Sequence, residues 1–301
     1  MLVLGVLVVL FLVFASFYSD WLWFASVEKT SVFTTQLFAK AGMFAAFGLF
    51  MAVSIGLAMW LAYPFRPIYA PDSPEAEGLE RYRASIDPLR KPSLLVVSIV
   101  LGFLGGVSAS GQWPLWMLWS NATPFGQTDP QFGLDVSYWV FTYPFVRFVL
   151  GYAFAVMLLA LLASAVVNYL YGGLRFQGEG ERVTRGARAQ LSFIVGVLML
   201  LKAAGYWLDR LGLATRDDEF VLGYTGLKYV DVNALLPAKT ILTFIALIVA
   251  VLFFVNIFRS IWRVAVAGFV LMAASALVIG GIYPAIVQQF QVRPSELVKE
   301  Q

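Results

Sequence analysis

The sequence predicts an all-α, polytopic membrane helix bundle of about seven transmembrane helices with its C-terminus outside the cell. Three observations predict it. Of 301 residues, 60% are hydrophobic and only 13% charged, far from an ordinary soluble domain. Uncharged apolar runs recur at the roughly 18 to 20 residues a helix needs to cross a bilayer. Between them lie segments rich in proline, glycine and charge, where such helices stop. The same composition sets aside a soluble enzyme, a disordered chain and a nucleic-acid module.

The first span, 2–24, is uncharged as far as Phe17 and is extended by Trp21, Leu22, Trp23 and Phe24. With no basic segment before it and no small-residue cleavage site after a short apolar core, it reads as an uncleaved helix rather than a signal peptide. The missing basic flank points to a start upstream. The second span, 37–63, carries one charge, Lys40, and stops at Pro64 because proline cannot continue the ladder. A polar loop over 66–91 follows, with room for a short helix over 73–85. The third span, 93–111, places Gly102 and Gly106 four apart, which lets a neighbouring backbone approach closely. The stretch 112–140 lacks Lys and Arg but holds Trp113, Trp116, Trp119 and Trp139, and reads as a loop lying on the membrane surface.

The fourth span, 145–171, has Pro144 near its first turn, where proline is tolerated, and Arg147 just inside. Gly172 and Gly173 mark a helix stop before a loop with Arg175, Arg182, Arg185 and Arg188. The fifth span, 191–208, carries Lys202. In the connection that follows, the contiguous acids at 217–219 point in different directions and read as a solvated charge run, while Asn233 is the candidate N-cap of the sixth span, 240–258. The seventh span, 264–283, is expected to end at Pro284. These spans make a membrane domain over 1–285, leaving 286–301 as a polar extracytoplasmic tail that would lead into a missing soluble domain.

Sidedness follows from basic residues. Loops 66–91, 172–190 and 259–263 all fall on one side and together hold 11 of the 21 Lys and Arg. The positive-inside rule places them in the cytoplasm and the C-terminus outside. Loss of the first span to processing would leave the C-terminal side unchanged.

Three separated motifs then carry a resemblance: DPQFGLDVSY over 129–138 with Phe141, Pro144 and Phe145; YVDVNA over 229–234 with Leu236, Pro237 and Ala238; and VRPSEL over 292–297. In this order they resemble the bacterial membrane proteins grouped as uncharacterised protein family 0182. The resemblance spans nearly the whole chain. It implies seven N-terminal helices followed by a large extracytoplasmic domain, and so a membrane half produced by truncation or a split gene. It implies location in a bacterial plasma membrane but supplies no catalytic residues.

The chain has no His and no Cys, so the usual ligands of zinc, haem and iron–sulfur sites and the usual Ser–His–Asp or Cys–His sets are missing. No enzyme activity, cofactor or metal is expected. Three cations fall inside spans: Lys40, Arg147 and Lys202. Charge in hydrocarbon is costly and often functional. One reading is snorkelling of long side chains to headgroups or aromatic faces. A second is an outward-facing site for a lipid phosphate or other anion, with Arg147 gripping it through its fork. A third is ion pairing with Asp135 or Asp209. No carboxylate falls in the middle of a span, which argues against proton- or sodium-coupled transport. The leading functional expectation is an anchor or scaffold for an extracytoplasmic domain and partner proteins. The alternative is a transporter or a lipid- or anion-binding protein. Expected partners are membrane lipids, anionic ones included, and other membrane or extracytoplasmic proteins, with no nucleic acid.

Overall fold

The computed structural model describes residues 2–65, 87–175, 183–215, 226–259 and 261–295. These fold as helices α1 (Leu2–Ser26), α2 (Thr30–Ala62), α3 (Arg90–Ser110), α4 (Trp113–Ser120), α5 (Tyr143–Leu170), α6 (Arg185–Leu211), α7 (Leu236–Phe258), α8 (Trp262–Leu277) and the short α9 (Tyr283–Val287). No strand forms among the described residues beyond two isolated bridges, Thr128 with Asp135 and Leu174 with Val183. Six segments are long and apolar enough to cross a membrane: Thr30–Ala62, Asp87–Ser110, Tyr138–Leu170, Arg185–Thr215, Asp231–Phe258 and Trp262–Val292. α1 adds 25 helical residues with Asp20 as their only charge.

The outer faces are apolar. Leu49, Ile248 and Leu271, each inside a helix, are 66%, 61% and 64% exposed. In water such surface would cost roughly 25 cal/mol per Å², so these faces fit hydrocarbon better than water.

The core lies where α2, α5, α6, α7 and α8 meet, around Ile55, Val156, Leu198, Leu242, Ala246 and Ala265. α3 joins this core through α2 by backbone approach. A Cβ on Gly102 would stand 2.6 Å from Ala52 Cβ and 2.8 Å from the Gly48 carbonyl oxygen; one on Gly48 would stand 2.9 Å from the Gly102 oxygen. The expected close approach at Gly102 and Gly106 therefore finds its partner in Phe44, Gly48 and Ala52 on α2.

Polar contacts tie the bundle's first end, which holds residues 63–65, 87–89, 171–175, Arg259 and Ile261. Asn168 Nδ2 donates to Gln190 Oε1 at 3.0 Å, and Gln190 Nε2 donates to the Ala58 oxygen at 2.6 Å. Asn256 Nδ2 donates to Ser192 Oγ at 2.8 Å. In apolar surroundings each satisfies a group that would otherwise be stranded.

Several boundaries differ from the sequence reading. α6 starts at Arg185 rather than 191, because Thr184 Oγ1 accepts from the Ala187 N–H at 3.3 Å and caps the helix there. Arg185 and Arg188 thus belong to its first turns instead of a loop. Asn233 is not a cap: its Nδ2 donates back to the Tyr229 oxygen at 2.9 Å inside a continuous helical run. Pro284 does not end the last span, and the helical run continues to residue 295, into the segment read as a polar tail. The surface stretch 112–140 contains α4. The short helix expected over 73–85 and the acids at 217–219 lie outside the described residues.

The prolines share one device. Before Pro144, Pro237, Pro284 and Pro294 the helix widens to an i→i+5 turn: Tyr143 N–H donates to Tyr138, Leu236 to Asp231, Tyr283 to Val278 and Arg293 to Gln288. A proline lacks the N–H and clashes with the carbonyl four residues back. The wider turn moves that carbonyl aside and lets the helix continue.

Replacing Gly102 with Val should destabilise the protein by about 1 to 3 kcal/mol, the usual cost of overpacking. Thermal unfolding in detergent checks this, with Gly42→Ala, whose Cβ would meet nothing within 4 Å, as the control expected to stay near wild type.

Candidate functional site

The second end of the bundle pairs two cations with one carboxylate and holds a third nearby over an aromatic ring. Pro144 sits in the first turn of α5 and Arg147 follows one turn in; Pro237 sits in the first turn of α7 and Lys239 follows two residues on. Asp209 lies in the last turn of α6, facing both. Arg147 Nη1 is 2.5 Å from Asp209 Oδ1 and Lys239 Nζ is 3.0 Å from Asp209 Oδ2. The carboxylate is 20% exposed while the Arg147 side chain remains 48% exposed.

Lys202 joins the group from below. Its Cα lies about 14 Å along α6 from Leu211 at 1.5 Å per residue, and helical Cβ atoms tilt towards the N-terminus, away from this end. Its ammonium nevertheless lies 4.7 Å from the ring centre of Tyr206, one turn nearer to Asp209. Lys239 Nζ is 5.5 Å from the same ring. Tyr206 is buried, so its ring provides an apolar body with a negative face for both cations.

Arg147 and Lys202 line one cleft between α5 and α6, about 170 Å³ in volume, together with Leu150, Gly151, Phe154, Leu201 and Gly205. The two glycines keep it open: a Cβ on Gly151 would meet nothing within 4 Å, and one on Gly205 only Leu150 Cδ2 at 3.9 Å. An apolar groove of about 500 Å³, lined by Val146, Leu150, Trp207, Phe244 and Leu247 among others, adjoins it at Leu150.

Of the three cations singled out from sequence, the structure brings two together. Lys40 does not line the cleft; its ammonium lies 5.7 Å from the Trp113 ring centre. Of the two carboxylates weighed as partners for Arg147, Asp209 is the one that pairs with it. Lys239 was not among the candidates because it borders the sixth span. The matching placement of a cation two or three residues after a first-turn proline, in Arg147 and Lys239, is the signal that could have drawn attention to it. Among the described residues no cluster of three or more Asp or Glu could hold a metal ion.

A structured loop lies at the same end of the bundle. Asp129 Oδ1 accepts from the N–H groups of Gln131 and Phe132 at 3.0 and 2.7 Å. Asp135 accepts from Phe125, Gly126 and Ser137 at 3.0, 2.8 and 2.8 Å. The Ser137 side chain, then backbone N–H groups, hold the Asp135 carboxyl at a pKa of about 2, below its ordinary 3.8. Gly133, at φ +67°, supplies the left-handed turn between the two acids. Trp139 Nε1 donates to the Leu211 oxygen at 2.8 Å, tying this loop to the end of α6. Across the same end, Val230 and Ala234 pack against Val287 and Val292.

Residues 1–301 match the family described as "Uncharacterised protein family (UPF0182)". The chain belongs to this family. It is 50% identical over 305 residues to a UPF0182 protein of Streptomyces coelicolor, covering 100% of this chain and 30% of that one. A UPF0182 protein of Nocardioides is 46% identical over 287 residues, 95% of this chain and 28% of the relative. One from Thermobifida fusca is 48% identical over 283 residues, 94% and 27%. The chain thus spans less than a third of the length of these relatives. No solved structure matches it. The described parts of the three segments that carry the resemblance to UPF0182 lie at the second end: the Asp129–Asp135 loop, the wide turn before α7, and the helical end at Val292.

The Asp135 contacts predict a pH response. A folded pKa below the unfolded value gives a contribution that is whole above about pH 4 and is lost as pH falls towards 2. Amide exchange over 125–137, corrected for its intrinsic pH dependence, should show protection falling in that window. Asp135→Asn should lower protection at neutral pH and remove the acid step.

Proposed function

We propose that this chain is a multi-pass membrane anchor of the bacterial plasma membrane, whose second end faces outward and positions extracytoplasmic protein, of the same polypeptide or of partners. The observation that supports this reading is that the described parts of the three family segments lie at one end, the second and third packed on each other and the first followed by Trp139, which bonds to the end of α6. Val292 and Ala234 are fully buried against each other's neighbours, so the α9 end is held in a fixed place. The hydrogen-bonded acids of 129–135 and the Trp139–Leu211 bond make the adjoining loop equally firm. Positive charge supports the orientation: Arg90, Lys91, Arg175, Arg185 and Arg259 all lie at the opposite end. A second reading, a protein that binds an anionic lipid or other anion, is favoured by the cleft of Arg147 and Lys202.

The absence of cysteine makes the orientation directly measurable. Single cysteines at Ala122 and Arg293 should react with a membrane-impermeant maleimide on intact cells, and one at Lys91 only after permeabilisation. The reverse pattern overturns the outward-facing assignment. Pull-down from native membranes with mass spectrometry should recover partner proteins with exposed extracytoplasmic regions; recovery of none overturns the scaffold role.

A further inference from the structure

We propose that the cleft between α5 and α6 binds the phosphate monoester headgroup of an anionic lipid, with Asp209 as the group that the phosphate displaces from Arg147. This rests on the anionic-lipid reading above and specifies its ligand.

The argument begins from charge. Arg147 and Lys239 both pair with Asp209, and Lys202 lies over the Tyr206 ring beside them; three cations with this one carboxylate leave two positive charges in excess. The carboxylate has two partners, one on each oxygen. When a phosphate takes Arg147, Asp209 keeps Lys239 at 3.0 Å and is not stranded as an unpaired charge. The pair Asp209–Lys239 is then neutral, and Arg147 and Lys202 remain for the ligand. A phosphate monoester carries about −1.5 to −2 charges near neutral pH; a phosphodiester carries only one. The monoester matches the two free cations.

Geometry agrees with charge. Both cations line the same cleft, and Arg147 is 48% exposed, so its outward N–H groups can turn to an incoming oxygen in the paired geometry guanidinium favours. Gly151 and Gly205 leave the space that a larger residue would fill. The adjoining groove at Leu150 is almost wholly apolar and borders the exposed Phe244 and Trp207, a surface suited to an acyl chain rather than to water. A soluble phosphate ester shares the headgroup chemistry but makes no use of this groove.

The test uses the purified chain in nanodiscs and native mass spectrometry, with phosphatidic acid, phosphatidylglycerol and phosphatidylcholine as separate probes. Phosphatidic acid should bind about tenfold more tightly than phosphatidylglycerol, and phosphatidylcholine least. Lys202→Gln leaves the Arg147–Asp209–Lys239 contacts in place, so the fold is retained, and should bring phosphatidic acid down to the phosphatidylglycerol level. Asp209→Asn removes the competitor and should tighten binding. Equal binding of the two anionic lipids overturns the monoester assignment while keeping the broader lipid reading; binding of no lipid overturns both. Unchanged binding in Lys202→Gln also overturns the site, and weaker binding in Asp209→Asn overturns the displacement. Inorganic phosphate that binds as tightly as phosphatidic acid overturns the lipid as ligand and leaves a soluble phosphate ester.

Discussion

A bundle that turns Leu, Ile and Phe outward along most of its helices gains little from burying side chains inward, because an apolar surrounding competes for the same contacts. What remains is close packing and a small number of polar contacts between helices. The α2–α3 contact shows the first: Phe44, Gly48 and Ala52 face Gly102 and Gly106 so closely that no added Cβ fits at Gly48, Gly102 or Gly106 without displacement. The side-chain amides of Asn168, Gln190 and Asn256 show the second, each buried and each bonded across helices or to a carbonyl.

The same constraint explains the prolines. A break in a helix surrounded by apolar side chains leaves backbone groups without partners. This chain keeps its helices continuous by widening the turn ahead of each of four prolines, so that only the missing N–H is lost. Two of those wide turns open α5 and α7 directly before Arg147 and Lys239, and both side chains converge on Asp209. The local geometry that accommodates proline thus sits beside the most highly charged point described in the bundle.

The two ends are built differently. The first is tied by buried amides and by a cluster in which Arg90 stacks 3.2 Å from the Tyr63 ring centre and Tyr171 donates to Asp87. The second carries the aromatic helix α4, the Asp129–Asp135 loop, the charged cleft and the packed helical end at Val292. Trp116 meets Phe145 edge-on and Trp119 stacks on it, 5.6 and 4.8 Å between centres, so this aromatic surface is continuous with α5 rather than a loose belt. The hydrogen-bonded loop and the charged cleft thus lie at the same end of the bundle.

Length and hydropathy along the chain were enough to establish an all-helical fold with long apolar spans, since a bilayer-length run needs no tertiary knowledge to recognise. Gly102 and Gly106 announced a close contact for the same reason: small residues four apart lie on one helix face. Sequence also marked Arg147 and Lys202 as misplaced charges, and Asp209 as a partner at a span's end. It could not say that Lys40 would turn to Trp113 while Arg147 and Lys202 share a cleft, because that depends on which helices are neighbours. Nor could it show that Pro284 lies within a helix or that Lys239 completes the ion cluster. Those outcomes depend on turn width and on inter-helix register, which are settled only when the helices pack against one another.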